Sequence, residues 1–221
     1  MKICKECVTR KRCALAALSA GNTAISNAAR ERKISKDEVL QQQGSLSRAM
    51  MVLKVGQVTC NRIGIDGRDR PLGLLSQGIS FGKLSLLGLA NTFTFVSNDW
   101  GRVCEIPIDV LRRHLPSHLD AVRLLALEQV RTAELIADWA QVMQFHNVQA
   151  KVASTFLLLA KLQGNPTIKI PTQASLSNIL GIRRESIQRA MKDMELNAEI
   201  MHVGRSTYVI DRSVLIAHLQ S

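Results

Sequence analysis

From residue 117 to residue 163 the chain contains neither glycine nor proline. A stretch of that length without a backbone breaker reads as helix, because strands are far shorter and loops need the breakers. Within it Leu119, Val122, Ala126, Val130, Ala133, Ile136 and Ala140 recur at steps of three or four, drawing one apolar seam down one face. Phe145-His146-Asn147 interrupts the pattern, and residues 148–162 read as a second helix. A seam on a helix that joins two domains is buried either on its own domain or against its twin in a second copy. The second use is expected here, so residues 114–145 read as the dimerisation helix of a homodimer.

The two flanks differ in kind. Residues 34–110 hold most of the glycines, between apolar runs such as Met51-Val52-Leu53-Lys54-Val55-Gly56-Gln57-Val58-Thr59-Cys60. Turn signals stand at Gln43-Gly44, Asp66-Gly67, Gln77-Gly78 and Asn98-Asp99. Short strands at this spacing predict a small antiparallel barrel or roll. Aromatic residues are only 4%, so its core has to rest on Leu, Ile, Val, Ala and Met. Residues 14–33 are polar and alanine-rich and read as a short helical entry segment.

Beyond the long helix, Gly164-Asn165-Pro166 marks a stop. Residues 172–197 then hold a recognisable plan. Thr172 is placed to cap a helix. Leu176, Ile179 and Leu180 form its apolar face, and Gly181 ends it, because glycine adopts a left-handed conformation cheaply. Ile182 anchors the turn. A second helix packs through Ile187, Met191 and Met194 and shows Arg184, Glu185, Gln188 and Arg189 on its other face. In a helix-turn-helix the first turns of the second helix reach base edges in the major groove. There Arg can grip guanine, Glu can accept from a cytosine amino group and Gln can read adenine. Residues 200–203, Gly204-Arg205 and Thr207–Ile210 follow as strand, turn and strand, a wing. Double-stranded DNA is the expected partner. The expected fold class is α+β: a cysteine-rich arm (1–18), an antiparallel β-roll sensor domain resembling cyclic-nucleotide-binding domains (19–113), the dimerisation helix (114–145) and a winged helix-turn-helix (146–221).

Charge agrees with that partner. The net charge is +11, and it is uneven: residues 1–35 carry net +6, residues 36–145 net +1 and residues 146–221 net +4. Basic ends around a near-neutral middle suit a polyanion, since neutralising phosphates releases counterions. No apolar run approaches the roughly 20 residues that span a bilayer. Met1-Lys2-Ile3-Cys4-Lys5-Glu6-Cys7 has no secretory-type stretch, so a cytoplasmic protein without a membrane partner is expected.

Five cysteines remain. Cys4, Cys7 and Cys13 have the spacing C-x2-C-x5-C, which in a reducing compartment suits a metal centre better than a disulfide framework. A fourth ligand is then required, and the spacing alone admits zinc as well as an iron–sulfur centre. Lys5, Arg10, Lys11 and Arg12 would offset thiolate charge or lie solvated. Cys60 falls inside a predicted strand and reads as a small core residue. His114 and His118 are four apart with Pro116 between them and read as surface residues. No nucleophile–base pair or phosphate-binding glycine loop is present, so no enzyme is expected.

Over essentially its whole length the chain resembles the Crp/Fnr superfamily. The order of roll, long helix and winged helix-turn-helix matches, as does Leu180-Gly181-Ile182-Arg183-Arg184-Glu185-Ser186-Ile187-Gln188-Arg189. The resemblance implies a transcription regulator, a homodimer on a palindrome with half-sites one helical turn apart, working with RNA polymerase. It implies that Glu185 and Arg189 occupy the two base-reading positions most members share, and Arg184 a further DNA-contacting position of the Crp branch. Gln188 departs: Crp-type proteins have Gly there and Fnr-type proteins Ser, so the outer base of the half-site does not carry over.

In the roll, catabolite activators have Phe-Gly-Glu-Leu followed by an Arg-Ser pair near the phosphate. The corresponding stretch is Phe81-Gly82-Lys83-Leu84, with Lys in place of the ribose-binding Glu and no Arg-Ser pair after it, so no cyclic nucleotide is expected. The oxygen-sensing Fnr branch has the same arm spacing and a distant fourth ligand in Val-Cys-Glu-Ile-Pro, which matches Val103-Cys104-Glu105-Ile106-Pro107. By that match Cys4, Cys7, Cys13 and Cys104 are ligands of a 4Fe–4S cluster. The signal implied is oxygen, redox state or nitric oxide, acting by tying the arm to the roll and so setting the monomer–dimer balance. The alternative is a regulator of the same family without a cluster, whose cysteines hold zinc or act as thiols, or which needs no effector.

Overall fold

The computed structural model describes Arg10, Cys13, Leu15, Ala16 and residues 22–114 and 118–220. Between the glycine turns the apolar runs pair into two four-stranded antiparallel sheets. One has the order β1 (Arg30–Ile34), β8 (Gly101–Pro107), β3 (Ala49–Val55), β6 (Ser80–Phe81). The other has the order β2 (Val39–Gln41), β7 (Thr94–Ser97), β4 (Val58–Ile63), β5 (Asp69–Leu75). The Phe81 and Phe95 rings, one from each sheet, meet with centroids 5.6 Å apart. Cys60 stands opposite Phe95 in the β4–β7 register and is buried, so its thiol faces the same interior. Burial there pushes that thiol up to about 12.

The first sheet is covered on both faces. Strand alternation and the pairings Val52–Cys104 and Met50–Ile106 put these four side chains on one face, with Met51, Leu53 and Val103 on the other. All seven are buried, which explains a continuous apolar run where a half-exposed strand would alternate. Two short helices cover the first face. In α1 (Thr23–Ala28) the Asn22 side chain caps the first turn, accepting from the Ile25 amide at 3.1 Å. The same side chain donates to the His114 carbonyl, at the end of α2 (Ile108–His114), at 2.6 Å.

The expected helical entry over residues 14–33 is corrected at its end: helix covers Thr23–Ala28, but Arg30–Ile34 is an edge strand. Its sequence has no apolar alternation, and cross-strand ion pairs do the work instead. Glu31 pairs with Lys54 and Arg102, and Arg32 with Glu38 and Glu105. Charge on an edge strand also discourages pairing with a foreign strand.

Next along the chain come α3 (His118–Gln144) and α4 (Val148–Gln163), with Asn147 capping α4 by accepting from the Gln149 amide at 2.8 Å. The chain divides into two compact units at residue 134, inside α3. The second unit continues with β9 (Thr167–Lys169), α5 (Gln173–Leu180), α6 (Arg184–Leu196), β10 (Ile200–Gly204), β11 (Thr207–Ile210) and α7 (Arg212–Gln220). Strands β10, β11 and β9 form an antiparallel sheet in that order. Strand β9 and helix α7 are additions to the helix–turn–helix–hairpin expected from sequence. Asp211 accepts from the Ser213 and Val214 amides at 2.9 and 3.2 Å, a capping pattern that could have signalled α7.

Candidate nucleic-acid interface and sensor site

Helix α5 starts where Thr172 Oγ1 accepts from the Ser175 amide at 3.2 Å and stops at Gly181, whose φ is +64°. Ser177 Oγ donates to the Ile182 carbonyl at 2.6 Å and pins the turn. Helix α6 buries Ile187, Ala190, Met191 and Met194. Full burial of an Ile or Met side chain contributes about 1.5–3 kcal/mol, so this face sets the rotation of the helix. Arg184, Glu185, Gln188 and Arg189 are thereby turned into solvent, all on the first half of α6. Among the described residues neither Arg184 nor Arg189 forms an ion pair. Gln188 Nε2 donates to Gln173 Oε1 at 2.6 Å. Arg205 is exposed at the turn between β10 and β11.

In the roll, Gly82 has a φ of +77°, and a Cβ there would lie 2.3 Å from the Ala49 carbonyl oxygen, so only glycine fits. The next residue, Lys83, is buried. Its Nζ donates to the Glu128 carbonyl at 2.8 Å and to Thr132 Oγ1 at 2.9 Å, both on α3. The Glu128 carboxylate, 2% exposed, accepts from Ser80 Oγ and pairs with Arg131 at 2.6 Å. Burial pushes the Lys83 ammonium down to about 8; the charge of Glu128 works against that fall and Arg131 adds to it. The space left beside Gln41, Phe81, Asn91 and Phe93 is about 20 Å³. That holds a water, against the several hundred Å³ typical of a small-molecule pocket. Sequence singled out Lys83 but not Ser80, Glu128 or Thr132, because a contact across some 45 residues leaves no local pattern.

Cys104 is buried in an apolar cluster with Leu15, Ile25, Met50, Val52, Ile106, Ile108 and Leu111, and half-buried Cys13 packs against that cluster. Two of the four proposed ligands thus share one neighbourhood. Cys4 and Cys7 lie outside the described residues. Among the described residues no three His, Cys, Asp or Glu side chains gather into a metal site. Cys60 belongs to the other sheet and faces the roll interior. His114 is exposed, and the side chain of His118 lies outside the description.

On α3, Leu135, Trp139 and Val142 are buried. The seam is not: Ala126, Val130, Ala133 and Ala140 are exposed and Ile136 is half-buried, with Val130 at 55% and neighbouring Leu127 at 54%. The side chains of Leu119 and Val122 lie outside the description. None of the described helices is long and apolar enough to cross a membrane.

Residues 31–118 match the family described as a cyclic nucleotide-binding domain. The cyclic AMP receptor protein of Thermus thermophilus is 25% identical over 181 residues, covering 80% of this chain and 82% of that protein. Among solved structures, FixK2 from Bradyrhizobium japonicum superposes with a TM-score of 0.72 at 18% identity, covering 86% of this chain and 96% of its own. A CRP-family transcriptional regulator from Thermus thermophilus gives a TM-score of 0.64 at 18% identity, covering 86% and 97%. These structures carry the fold. Together with the curated relative, the roll and the winged module, they make the chain similar to regulators of the Crp/Fnr superfamily, with residues 31–118 matching their cyclic nucleotide-binding domain.

Proposed function

We propose that the chain is a DNA-binding transcription regulator of the Crp/Fnr superfamily, which binds a palindromic site as a homodimer and responds to oxygen, redox state or nitric oxide through a 4Fe–4S cluster held by Cys4, Cys7, Cys13 and Cys104. The arm (1–18) and roll (19–113) sense, the helix (114–145) pairs the subunits, and residues 146–221 read DNA. The observation that carries the sensor reading is the packing of Cys13 against the cluster that contains Cys104. The donor set fits, since four thiols suit iron and sulfide. When bound, such a group supplies an oxidisable centre that joins its four ligands. The chain's own residues transmit the join. With the arm docked, Leu15 lies in one cluster with Ile25, Met50 and Leu111, and Leu111 belongs to α2, just ahead of α3. An undocked arm uncovers that cluster, loosens α2 and weakens pairing along the seam.

Arg184, Glu185, Gln188 and Arg189 read bases; their shared exposure on the first half of α6 supports this. The exposed seam supports the homodimer. The Lys83–Glu128 network supports a roll that takes no cyclic nucleotide, because the lysine already bridges to α3. The test is anaerobic purification with an absorption spectrum, iron and sulfide content, and site binding, before and after air. A coloured protein that loses iron, colour and site binding in air is the expected result. Colourless protein holding zinc or no metal overturns the cluster.

A further inference from the structure

Of the four exposed residues on the reading face, Gln188 is held from outside its own helix. Its Nε2 donates to Oε1 of Gln173, the first residue of α5, at 2.6 Å. Gln173 is itself fixed in place: Thr172 caps that turn, and Leu176, Ile179 and Leu180 bury the helix behind it. We infer that Gln173 is a specificity-determining positioning residue, which orients the Gln188 amide so that it selects adenine over guanine at one position of each half-site. This rests on the reading of α6 as the base-reading helix.

A free glutamine amide turns about its last bond and offers oxygen or nitrogen to either side. In the held pair one N–H of Gln188 is spent on Gln173. One acceptor oxygen and one N–H remain to face a base. Adenine matches both, because its N6 amino group donates to Oε1 and its N7 accepts from the N–H. Guanine presents two acceptors, O6 and N7, at the same edge. The fixed Oε1 then faces an acceptor, and a single N–H has to serve both. The tether therefore discriminates mainly by rejecting guanine. Gln173 acts through Gln188 and need not touch the base.

The test is selection of the full-length protein on duplexes with randomised half-sites, using wild type, Gln173→Leu, Gln173→Glu and Arg189→Ala. Wild type should prefer adenine to guanine at one position by about tenfold. Gln173→Leu should cut that to about twofold or less while leaving the other positions as they are, a change that a general loss of structure does not produce. Gln173→Glu keeps an acceptor for Gln188, so it should retain the preference while its charge weakens all sites alike. A preference unchanged in Gln173→Leu, or lost in Gln173→Glu, overturns the inference. If Arg189→Ala also alters no position, the reading of α6 fails with it; if Arg189→Ala alters its own position, only the role of Gln173 falls.

Discussion

In the roll, Lys54 and Arg102 pair with Glu31, Arg32 pairs with Glu38 and Glu105, and buried Lys83 sits beside Glu128. On α6, Arg184 and Arg189 stand in solvent without an ion pair among the described residues. The same charged side chains therefore do two jobs. In the roll they are internal ties, satisfied by partners from other strands, from the turn before β2 or from α3. On α6 they meet no acidic partner among the described residues, and a phosphate-lined groove presents the missing charge. Local composition does not separate the two, because a tied lysine and an available arginine count equally in a net charge.

The largest effect is expected at α3, which carries both the tie to Lys83 and the exposed residues Ala126, Val130 and Ala133 of the seam. Val130→Glu would set like charges across the proposed two-fold pairing, at a cost of several kcal/mol. Sedimentation velocity should then show dimer affinity down by about a hundredfold or more. A persistent dimer removes the seam as the interface. Next comes Glu128→Leu, which strips the buried carboxylate and leaves the Lys83 ammonium buried beside it. Thermal unfolding should show a loss of about 3 kcal/mol, much of it recovered in the double variant with Lys83→Met. Arg189→Ala should do the opposite on both readouts: about 1–3 kcal/mol less affinity for the specific site and an unchanged melting temperature. If Arg189→Ala lowers the melting temperature instead, the division between tied and available cations is wrong.

The smallest effect is in pH dependence, where two buried groups of the roll act in opposite directions. The Lys83 ammonium falls from an ordinary 10.5 to about 8 on folding. Between those values the unfolded chain binds a proton that the folded chain does not, so stability rises with pH, and below about 8 the penalty is complete. Cys60 acts in the other direction: its thiol rises from 9.0 to about 12, so stability falls as pH climbs from 9. Between pH 8 and 9 the stability of wild type relative to Lys83→Met should rise by up to about 1.4 kcal/mol. A flat difference across that window means Lys83 is not buried as a charge.

The helix-turn-helix fold was legible from sequence because its signals are local. Thr172, Gly181 and the spacing of Ile187, Met191 and Met194 each act within a turn or two of the chain. Strand β1 was not, because Arg30-Glu31-Arg32-Lys33-Ile34 becomes a strand only through acids and bases supplied by β8, Lys54 and Glu38. The Lys83 network was half legible: the residue stood out, while its partners on α3 are known only once the chain is folded. Cys104 belongs with these. Its identity was plain, but its neighbourhood with Cys13 depends on Ile25 and Leu111 closing over the outer face of the sheet.

The proposed link between that neighbourhood and subunit pairing is open to one direct measurement. Sedimentation velocity with iron analysis, on anaerobically purified protein before and after air, should show a dimer holding about four iron atoms per chain. Air should turn it to monomer as iron is lost, and Cys104→Ser should be monomeric from the start. An equal dimer fraction with iron and without it contradicts the account.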